Sequence, residues 1–342
     1  MEDIKHCLCN TTAAIRREAF PIMRRAIDRA QARAGKTAVG GQNVVYECAN
    51  YPDQPWKIGR TPFEGCNVWR VSEDVPDSFK GWTAVVDKAV ADRVNQKAGP
   101  AGAGGHNNEW GGGWSSFDYL QVRNGGGQTL DEYRAQVSLW AVLGAPLFIG
   151  ADVRTMSEEV LAIYKNAEVI AVSQDRAGAV GSRIFQDSAA QIEVWVRPLA
   201  PLATCAQGSG PQQGVDGGGG GDRGADQVLK CQARAALVLL NRSMRAQKMQ
   251  VTIRELTQSS GLERWGSVFR DRMVAHMAVR DVWKHLELGV VPTDGTGNLS
   301  GKLEMEVGPC SAFLGVVTLC VADAIVQSLS SEQVQHHVVW GA

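Results

Sequence analysis

An arginine and an aspartate four residues apart are the residues of this chain best suited to chemistry. Arg70 closes the apolar run 66–69, and Asp74 follows on the next loop. A guanidinium at the end of a strand can hold a carboxylate or a sugar hydroxyl in its planar fork, and an aspartate on the loop can transfer a proton. The same spacing also suits a simple ion pair at an element boundary. The two residues alone leave both interpretations open.

The composition argues against several classes of partner. At 342 residues the chain exceeds the usual size of one hydrophobic core, so we expect two domains. Its 35 basic residues nearly balance 36 acidic ones without a basic stripe, which predicts no nucleic-acid partner. No apolar run is long enough to cross a bilayer, and residues 1–6 lack the features of a signal peptide. We therefore expect neither membrane insertion nor an export signal within this chain.

The first half alternates between strand and helix patterns, and this order predicts a parallel sheet covered by helices. Apolar spacing and end signals predict helices over 21–34 and around 82–90, a helix that opens with the capping box Thr129–Glu132, and a helix over 157–166. Buried strands are predicted at 44–46, 66–70 and 146–150.

The second half has a different pattern. Short apolar strands with turn signals and little helix between them are predicted at 192–196, 236–240, 249–253 and 313–317. This pattern predicts an antiparallel β-sandwich. Two glycine-rich segments, 98–113 and 207–227, cannot bury a core, so we expect a surface insertion and a disordered loop there.

Taken together, these segments resemble the α-galactosidases of glycoside hydrolase family 27, the melibiase-type enzymes. The resemblance runs from about residue 2 to about residue 319 and is densest over 128–175. The motifs that carry it there, in the family's order, are Tyr133-Arg134, Ser138-Leu139-Trp140-Ala141, Gly144-Ala145-Pro146-Leu147, Asp152-Val153-Arg154, Met156-Ser157 and Val169-Ile170-Ala171-Val172-Ser173-Gln174-Asp175.

The resemblance implies an α/β fold in two parts. Residues 1–180 correspond to an incomplete (β/α)8 TIM-type barrel, from about strand 4 to strand 8, and 181–320 to an antiparallel β-sandwich. The tail 321–342 has no counterpart that we identify. No segment of this chain corresponds to the family's barrel strands before about strand 4, so the parallel sheet is expected to expose an edge.

The resemblance also assigns roles to residues. It makes Asp74 the acid/base, Arg70 and Lys5 sugar-binding residues, and Asp118 and Tyr119 part of the galactose pocket, although Asp118 equally suits a carboxylate that orders its loop. In this chemistry two carboxyl groups roughly 5 Å apart flank the glycosidic bond, one as nucleophile and one as acid/base.

Cysteines and glycosylation triplets bear on the compartment. The resemblance pairs Cys48 with Cys66 in a disulfide, while two buried free thiols are the alternative. Triplets for N-glycosylation at Asn10, Asn241 and Asn298 favour secretion. The family implies a secreted, vacuolar or lysosomal protein, and we expect a glycoprotein.

One departure from the family falls on the catalytic machinery. In the run Lys5-His6-Cys7-Leu8-Cys9-Asn10, Cys7 occupies the place of the family's nucleophilic aspartate. A thiolate differs from a carboxylate in length, charge distribution and pKa, so we expect hydrolysis to be severely impaired. A zinc site made from His6, Cys7 and Cys9 is the alternative use, but no second ligand pair has suitable spacing, and we predict no metal site.

The family therefore implies removal of terminal α-galactosyl groups from oligosaccharides or glycoconjugates, without a cofactor and with a homodimer as one assembly. The alternative is a catalytically silent or truncated family member that at most binds carbohydrate.

Overall fold

The computed structural model describes residues 2–7, 12–33, 44–49, 66–71, 73–91, 113–123, 125–200, 230–258, 273–292 and 301–322. The strands in this part of the chain are β1 Glu2–Cys7, β2 Val44–Ala49, β3 Val68–Arg70, β4 Trp114–Ser116, β5 Ser182–Asp187, β6 Ile192–Leu199, β7 Lys230–Asn241, β8 Gln247–Thr252, β9 Met273–Asp281, β10 Leu286–Pro292, β11 Lys302–Val307 and β12 Ser311–Ala322. The helices are α1 Ala13–Arg33, α2 Phe79–Ala91, α3 Leu130–Leu143, α4 Glu158–Tyr164, α5 Ala167–Ser173 and α6 Ile253–Gln258, with a 3-10 turn at Val153–Thr155.

The first half forms the parallel sheet that the alternation predicts. Strands β1 to β4 lie side by side in chain order, and all three pairings are parallel. The segment predicted as a strand at 146–150 makes only a single parallel bridge, between Leu120 and Ile149. Hydrogen bonds on either side of that bridge, from Leu120 to Phe148 and from Gly150 to Leu120, continue the sheet by one more short element.

Helix α3 lies at the centre of the molecule and begins where the sequence predicts. The Thr129 hydroxyl accepts a hydrogen bond from the Glu132 N–H, and the Glu132 carboxylate accepts one from the Thr129 N–H, which confirms the capping box. The helix ends at Gly144, whose φ of +70° is the left-handed conformation that glycine adopts without strain. Between these ends, the side chains from Ala135 to Leu143 are all buried.

Two helix boundaries differ from the prediction. Helix α1 begins at Ala13 rather than at Pro21, and Pro21 lies inside it. The Thr12 hydroxyl accepts the Ile15 N–H and supplies a start signal that the proline obscured in the sequence. The helix predicted over 157–166 ends at Tyr164, because the Asn166 side chain accepts the N–H groups of Glu168 and Val169 and starts α5 there.

The second half forms an antiparallel sheet with order β10-β9-β12-β7-β6-β5 and a two-stranded sheet with order β11-β8. One face of the large sheet, with Trp195 and Val238, shares a hydrophobic core with Trp140 of α3. The opposite face, with Leu237, packs with Met249 of β8 in a second core. The antiparallel strands are thus as predicted, whereas the domain boundary near residue 180 stays a prediction.

Several predictions fall outside the described residues. These are the disordered loop at 207–227, the glycine-rich insertion at 98–113 except for Gly113, and the tail from residue 323 onward. Among the helices described, none combines the length and the apolar character that a bilayer crossing requires.

Candidate active site

Arg70 is the residue around which the predicted site residues assemble. It ends the buried strand β3, where its backbone pairs with Ser116 of β4, and only 3% of the residue is exposed. Its Nη1 lies 2.9 Å from Oδ1 of Asp118, and its Nη2 lies 3.2 Å from Oδ1 of Asp74. The guanidinium therefore faces two carboxylates from two successive loops, so the ion pair left open by the sequence exists in the structure.

Asp118 orders the loop after β4 while it contacts Arg70. Its φ of +74° is left-handed, a conformation that aspartate tolerates better than most residues. Oδ2 of Asp118 accepts the N–H of Val75 at 3.1 Å, and the Trp140 indole N–H donates to the Asp118 carbonyl at 3.1 Å. The two interpretations offered by the sequence, loop ordering and a place in the pocket, thus apply to the same side chain.

Lys5 and Tyr119 complete this group of side chains. Lys5 Nζ, from β1, lies 3.7 Å from Oδ1 of Asp118 and 4.6 Å from the centre of the Tyr119 ring, in cation–π geometry. The Tyr119 ring packs edge-on against Phe148 at a centroid distance of 5.8 Å. Side chains from β1, β3 and the loops that follow β3 and β4 therefore meet beyond the carboxyl ends of the strands, which is where barrel enzymes place their active sites.

Asp74 differs from Asp118 in its exposure to solvent. The Asp74 side chain is 88% exposed and the Asp118 side chain 9%. One carboxylate beside the guanidinium is therefore accessible to a bound molecule and to water, as a group that transfers protons must be, while the other is enclosed.

Cys7 is the last residue of β1, with Ala49 as its partner in β2. Its backbone is two residues beyond Lys5, near the edge of the sheet at which the site lies. The side chains of His6 and Cys7 and the whole of Cys9 lie outside what the structure describes. The place of Cys7 at the nucleophile position and the absence of a zinc site both stay predictions.

The disulfide between Cys48 and Cys66 is present, with a Cα–Cα distance of 5.9 Å, and this confirms the predicted pairing. It joins β2 to the residue that leads into β3, and both cysteines are buried. Just beyond it, Oδ1 of Asn67 accepts the Tyr46 N–H at 2.9 Å. The strand that carries Arg70 is thereby attached to its neighbour before it reaches the site.

Two carboxylates near the site were not singled out from the sequence. Glu47 is fully buried in β2, and its register partners are Lys5 in β1 and Val68 in β3. A lone charge inside the apolar run 44–49 was the available signal. Asp77 accepts hydrogen bonds from Gln128 and from the Tyr133 hydroxyl, both at 2.9 Å. Burial, followed by the hydrogen bond to Asp77, raises the pKa of Tyr133, which keeps this hydroxyl a donor.

One glycosylation triplet is closed to modification in the folded chain. Asn241 is fully buried, and its amide donates to the carbonyl oxygens of Arg245, Val307 and Gly308 at distances from 2.7 to 2.9 Å. An acceptor asparagine must be exposed, so the prediction for Asn241 is wrong. Asn10 and Asn298 lie outside the described residues.

Comparison with known proteins identifies relatives of this chain. A family model described as Alpha galactosidase A matches residues 4–175. An alpha-galactosidase of Oryza sativa subsp. japonica is 40% identical over 134 residues, which are 39% of this chain and 28% of that protein. Alpha-galactosidase 3 of Arabidopsis thaliana is 32% identical over 253 residues, which are 74% of this chain and 43% of that protein. The chain thus spans less than half the length of these two relatives.

A solved structure supports the fold. The α-galactosidase of Saccharomyces cerevisiae with raffinose superposes with a TM-score of 0.60 at 17% identity, over 93% of this chain and 72% of the yeast chain. Identity this low supports the fold alone. The family match over half of the chain supports more: the chain belongs to the alpha galactosidase A family of melibiase-type glycoside hydrolases.

Proposed function

We propose that this chain acts on terminal α-galactosyl groups by the retaining mechanism of its family, with Asp74 as the acid/base. The observation that carries the proposal is the buried Arg70 guanidinium, which holds one enclosed carboxylate, Asp118, and one solvent-facing carboxyl, Asp74. A proton donor has to be within reach of the leaving oxygen and to stay in place while the bond breaks. The exposure of Asp74 supports the first requirement, and its contact with Arg70 supports the second.

In the first step, the Asp74 carboxyl protonates the glycosidic oxygen as its bond to the sugar carbon breaks, while the nucleophile at position 7 bonds to that carbon from the opposite face. In the second step, Asp74, now a carboxylate, takes a proton from a water whose oxygen bonds to the sugar carbon as the bond to the nucleophile breaks. Lys5 and Arg70 supply N–H donors for sugar hydroxyls, and the Asp118 carboxylate supplies an acceptor between them. These residues would fix the position of the galactosyl ring against the proton donor.

Cys7 limits the reaction, because the covalent intermediate requires a nucleophile on the opposite face of the sugar carbon. A thiolate there forms a thioglycoside, and sulfur is a poor match for a site adapted to expel a carboxylate. The relatives are named α-galactosidases, and the yeast structure contains raffinose, so α-galactosides are the substrate class to test.

The test compares the chain as it stands with Cys7→Asp on 4-nitrophenyl α-galactoside, with the α-glucoside as control. We expect Cys7→Asp to release nitrophenol, the unchanged chain to be slower by on the order of 10³-fold, and Asp74→Asn in the Cys7→Asp background to lose most of the gain. Equal inactivity of the unchanged chain and Cys7→Asp would contradict the proposal.

A second candidate function is carbohydrate binding without hydrolysis. It is favoured by one combination: Lys5, Arg70 and Asp118 are assembled as a binding group, while position 7 lacks a carboxylate. Calorimetric titration with galactose, and with glucose as control, tests it. Galactose-specific heat from a chain without turnover supports binding alone, and no heat removes this candidate.

A further inference from the structure

The carboxylate of Asp77 is surrounded by donors from a single distant segment. Its Oδ2 accepts the backbone N–H groups of Gly125 at 2.7 Å and Gly127 at 3.2 Å. Its Oδ1 accepts the Gln128 amide N–H at 2.9 Å, and the Tyr133 hydroxyl lies 2.9 Å from Oδ1 and 3.0 Å from Oδ2. Four donors between 48 and 56 residues away thus converge on one side chain.

The segment that supplies these donors is itself attached to the core. Oε1 of the Gln128 side-chain amide accepts the indole N–H of Trp82 at 2.9 Å, and Trp82 is fully buried on α2. Tyr133 is fully buried on α3. The backbones at Gly127 and Asp77 also lie close together. A Cβ atom at position 127 would be only 2.3 Å from the carbonyl oxygen of Asp77. Asp77 is therefore hydrogen-bonded to a segment that contacts the buried core.

Asp77 follows Asp74 by three residues on the loop after β3. Between them, Val75 is 4% exposed and donates its N–H to Asp118, and Pro76 restricts the backbone further. The side chain of Asp74 projects into solvent, so its position depends on how this short loop is held. Hydrogen bonds that restrain Asp77 therefore also restrain Asp74, because Val75 and Pro76 between them have little conformational freedom.

We propose that Asp77 is a positioning residue for the reaction: its carboxylate fastens the loop after β3 to residues 125–133 and so keeps the Asp74 carboxyl beside Arg70. This role rests on the proposed function, in which Asp74 transfers the proton. Asp77 itself lies among protein donors and is not a group that contacts substrate in this proposal.

The first test follows the loop without using turnover. In the full chain, Asp77→Asn keeps the size of the side chain but replaces one acceptor oxygen by an N–H donor that faces other donors. We expect amide hydrogen exchange at Val75 to quicken by about 10-fold or more, while amides inside α3 keep their rates. The matched control is Asp131→Asn, which changes an exposed aspartate paired with Arg134 on α3. Unchanged protection of Val75 in Asp77→Asn overturns the proposal.

The second test asks whether the hydrogen bonds of Asp77 affect proton transfer by Asp74. In the Cys7→Asp background, Asp77→Asn is assayed on methyl α-galactoside, whose leaving group needs a proton, and on 2,4-dinitrophenyl α-galactoside, whose leaving group does not. We expect kcat/KM to fall by about 10-fold or more for the first substrate and by less than about 3-fold for the second. Tyr133→Phe, which removes one donor of four, is expected to give an intermediate loss.

The outcomes separate the two proposals. Equal losses on both substrates identify a merely structural role and overturn positioning. If Cys7→Asp hydrolyses neither substrate, the proposed function fails, and the exchange of Val75 still decides whether Asp77 holds the loop.

Discussion

Oδ1 of Asp118 lies 2.9 Å from Nη1 of Arg70, with 9% and 3% of the two side chains exposed. The loop after β4 thus supplies an enclosed counter-charge for a guanidinium at the end of β3. A charge removed from water is costly unless an opposite charge and hydrogen bonds compensate for it. The two loops of the candidate site are therefore coupled to each other through this ion pair as well as through the sheet.

The two carboxylates at Arg70 are expected to differ in their effect on stability. Asp118→Asn removes the enclosed counter-charge while keeping a residue type that tolerates a positive φ, and we expect a loss of about 3 kcal/mol in the free energy of unfolding. Asp74→Asn changes an 88% exposed side chain at the same guanidinium and should cost less than about 1 kcal/mol. Urea unfolding of both variants measures the difference, and equal losses would show that burial does not determine the strength of these pairs.

The family resemblance predicted that Lys5, Arg70 and Asp118 share one site, and the parallel sheet explains their convergence, since the carboxyl ends of parallel strands meet at one edge. The capping box of α3 was predictable because its hydrogen bonds join residues three apart. The contact between Asp77 and Gly125, across 48 residues, was not predictable, because no motif in the sequence marks that pair. The triplet at Asn241 suggested glycosylation for the same reason: its sequence does not reveal that Asn241, at the end of β7, is buried against β11.

The disulfide offers a second prediction. The bond between Cys48 and Cys66 closes a loop with a sequence separation of 18 residues, and the entropy of such a closure corresponds to about 3 kcal/mol. The double variant Cys48→Ser, Cys66→Ser should lose roughly that amount in urea unfolding under non-reducing conditions. Cys310→Ser, at a free and half-buried cysteine, is the control and should change stability by less than about 1 kcal/mol. Similar losses in both variants would argue that the effect comes from side-chain packing.

A buried ion network joins α2 to the antiparallel sheet and gives a third prediction. Nη1 of Arg183 lies 3.0 Å from Asp87 and 2.9 Å from Glu193, and Nη2 of Arg242 lies 2.8 Å from Glu193. Glu193 is 1% exposed, whereas the Asp87 side chain is 42% exposed. Glu193→Gln leaves two arginines without their enclosed counter-charge and should cost about 3 kcal/mol, against about 1 kcal/mol for Asp87→Asn.

Nη1 of Arg242 also lies 2.6 Å from Oδ2 of Asp87, so Asp87 and Glu193 share both arginines. The two changes should therefore not be additive. We expect the double variant to differ from the sum of the single variants by more than about 0.5 kcal/mol in chemical denaturation. Simple additivity would mean that the two carboxylates act independently despite their common partners.

A fourth prediction concerns pH, through Glu168 at the start of α5. The Arg280 guanidinium on β9, followed by His285, lowers the pKa of Glu168. A carboxyl group with a lower pKa in the folded state stabilises the protein above its unfolded pKa, and that contribution is lost as the pH falls through the folded pKa.

Glu168→Gln should therefore reduce the free energy of unfolding by about 1 kcal/mol at pH 7, a modest value because the pair is partly exposed. The deficit should shrink as the pH falls below the ordinary pKa of a glutamate and disappear once Glu168 is protonated in the folded protein. Urea unfolding of both proteins at several pH values between 7 and 3 gives the difference, with the exposed Glu158→Gln as control. A deficit that stays constant over this range would mean that the charge of Glu168 contributes nothing, and that the contact acts only through its shape.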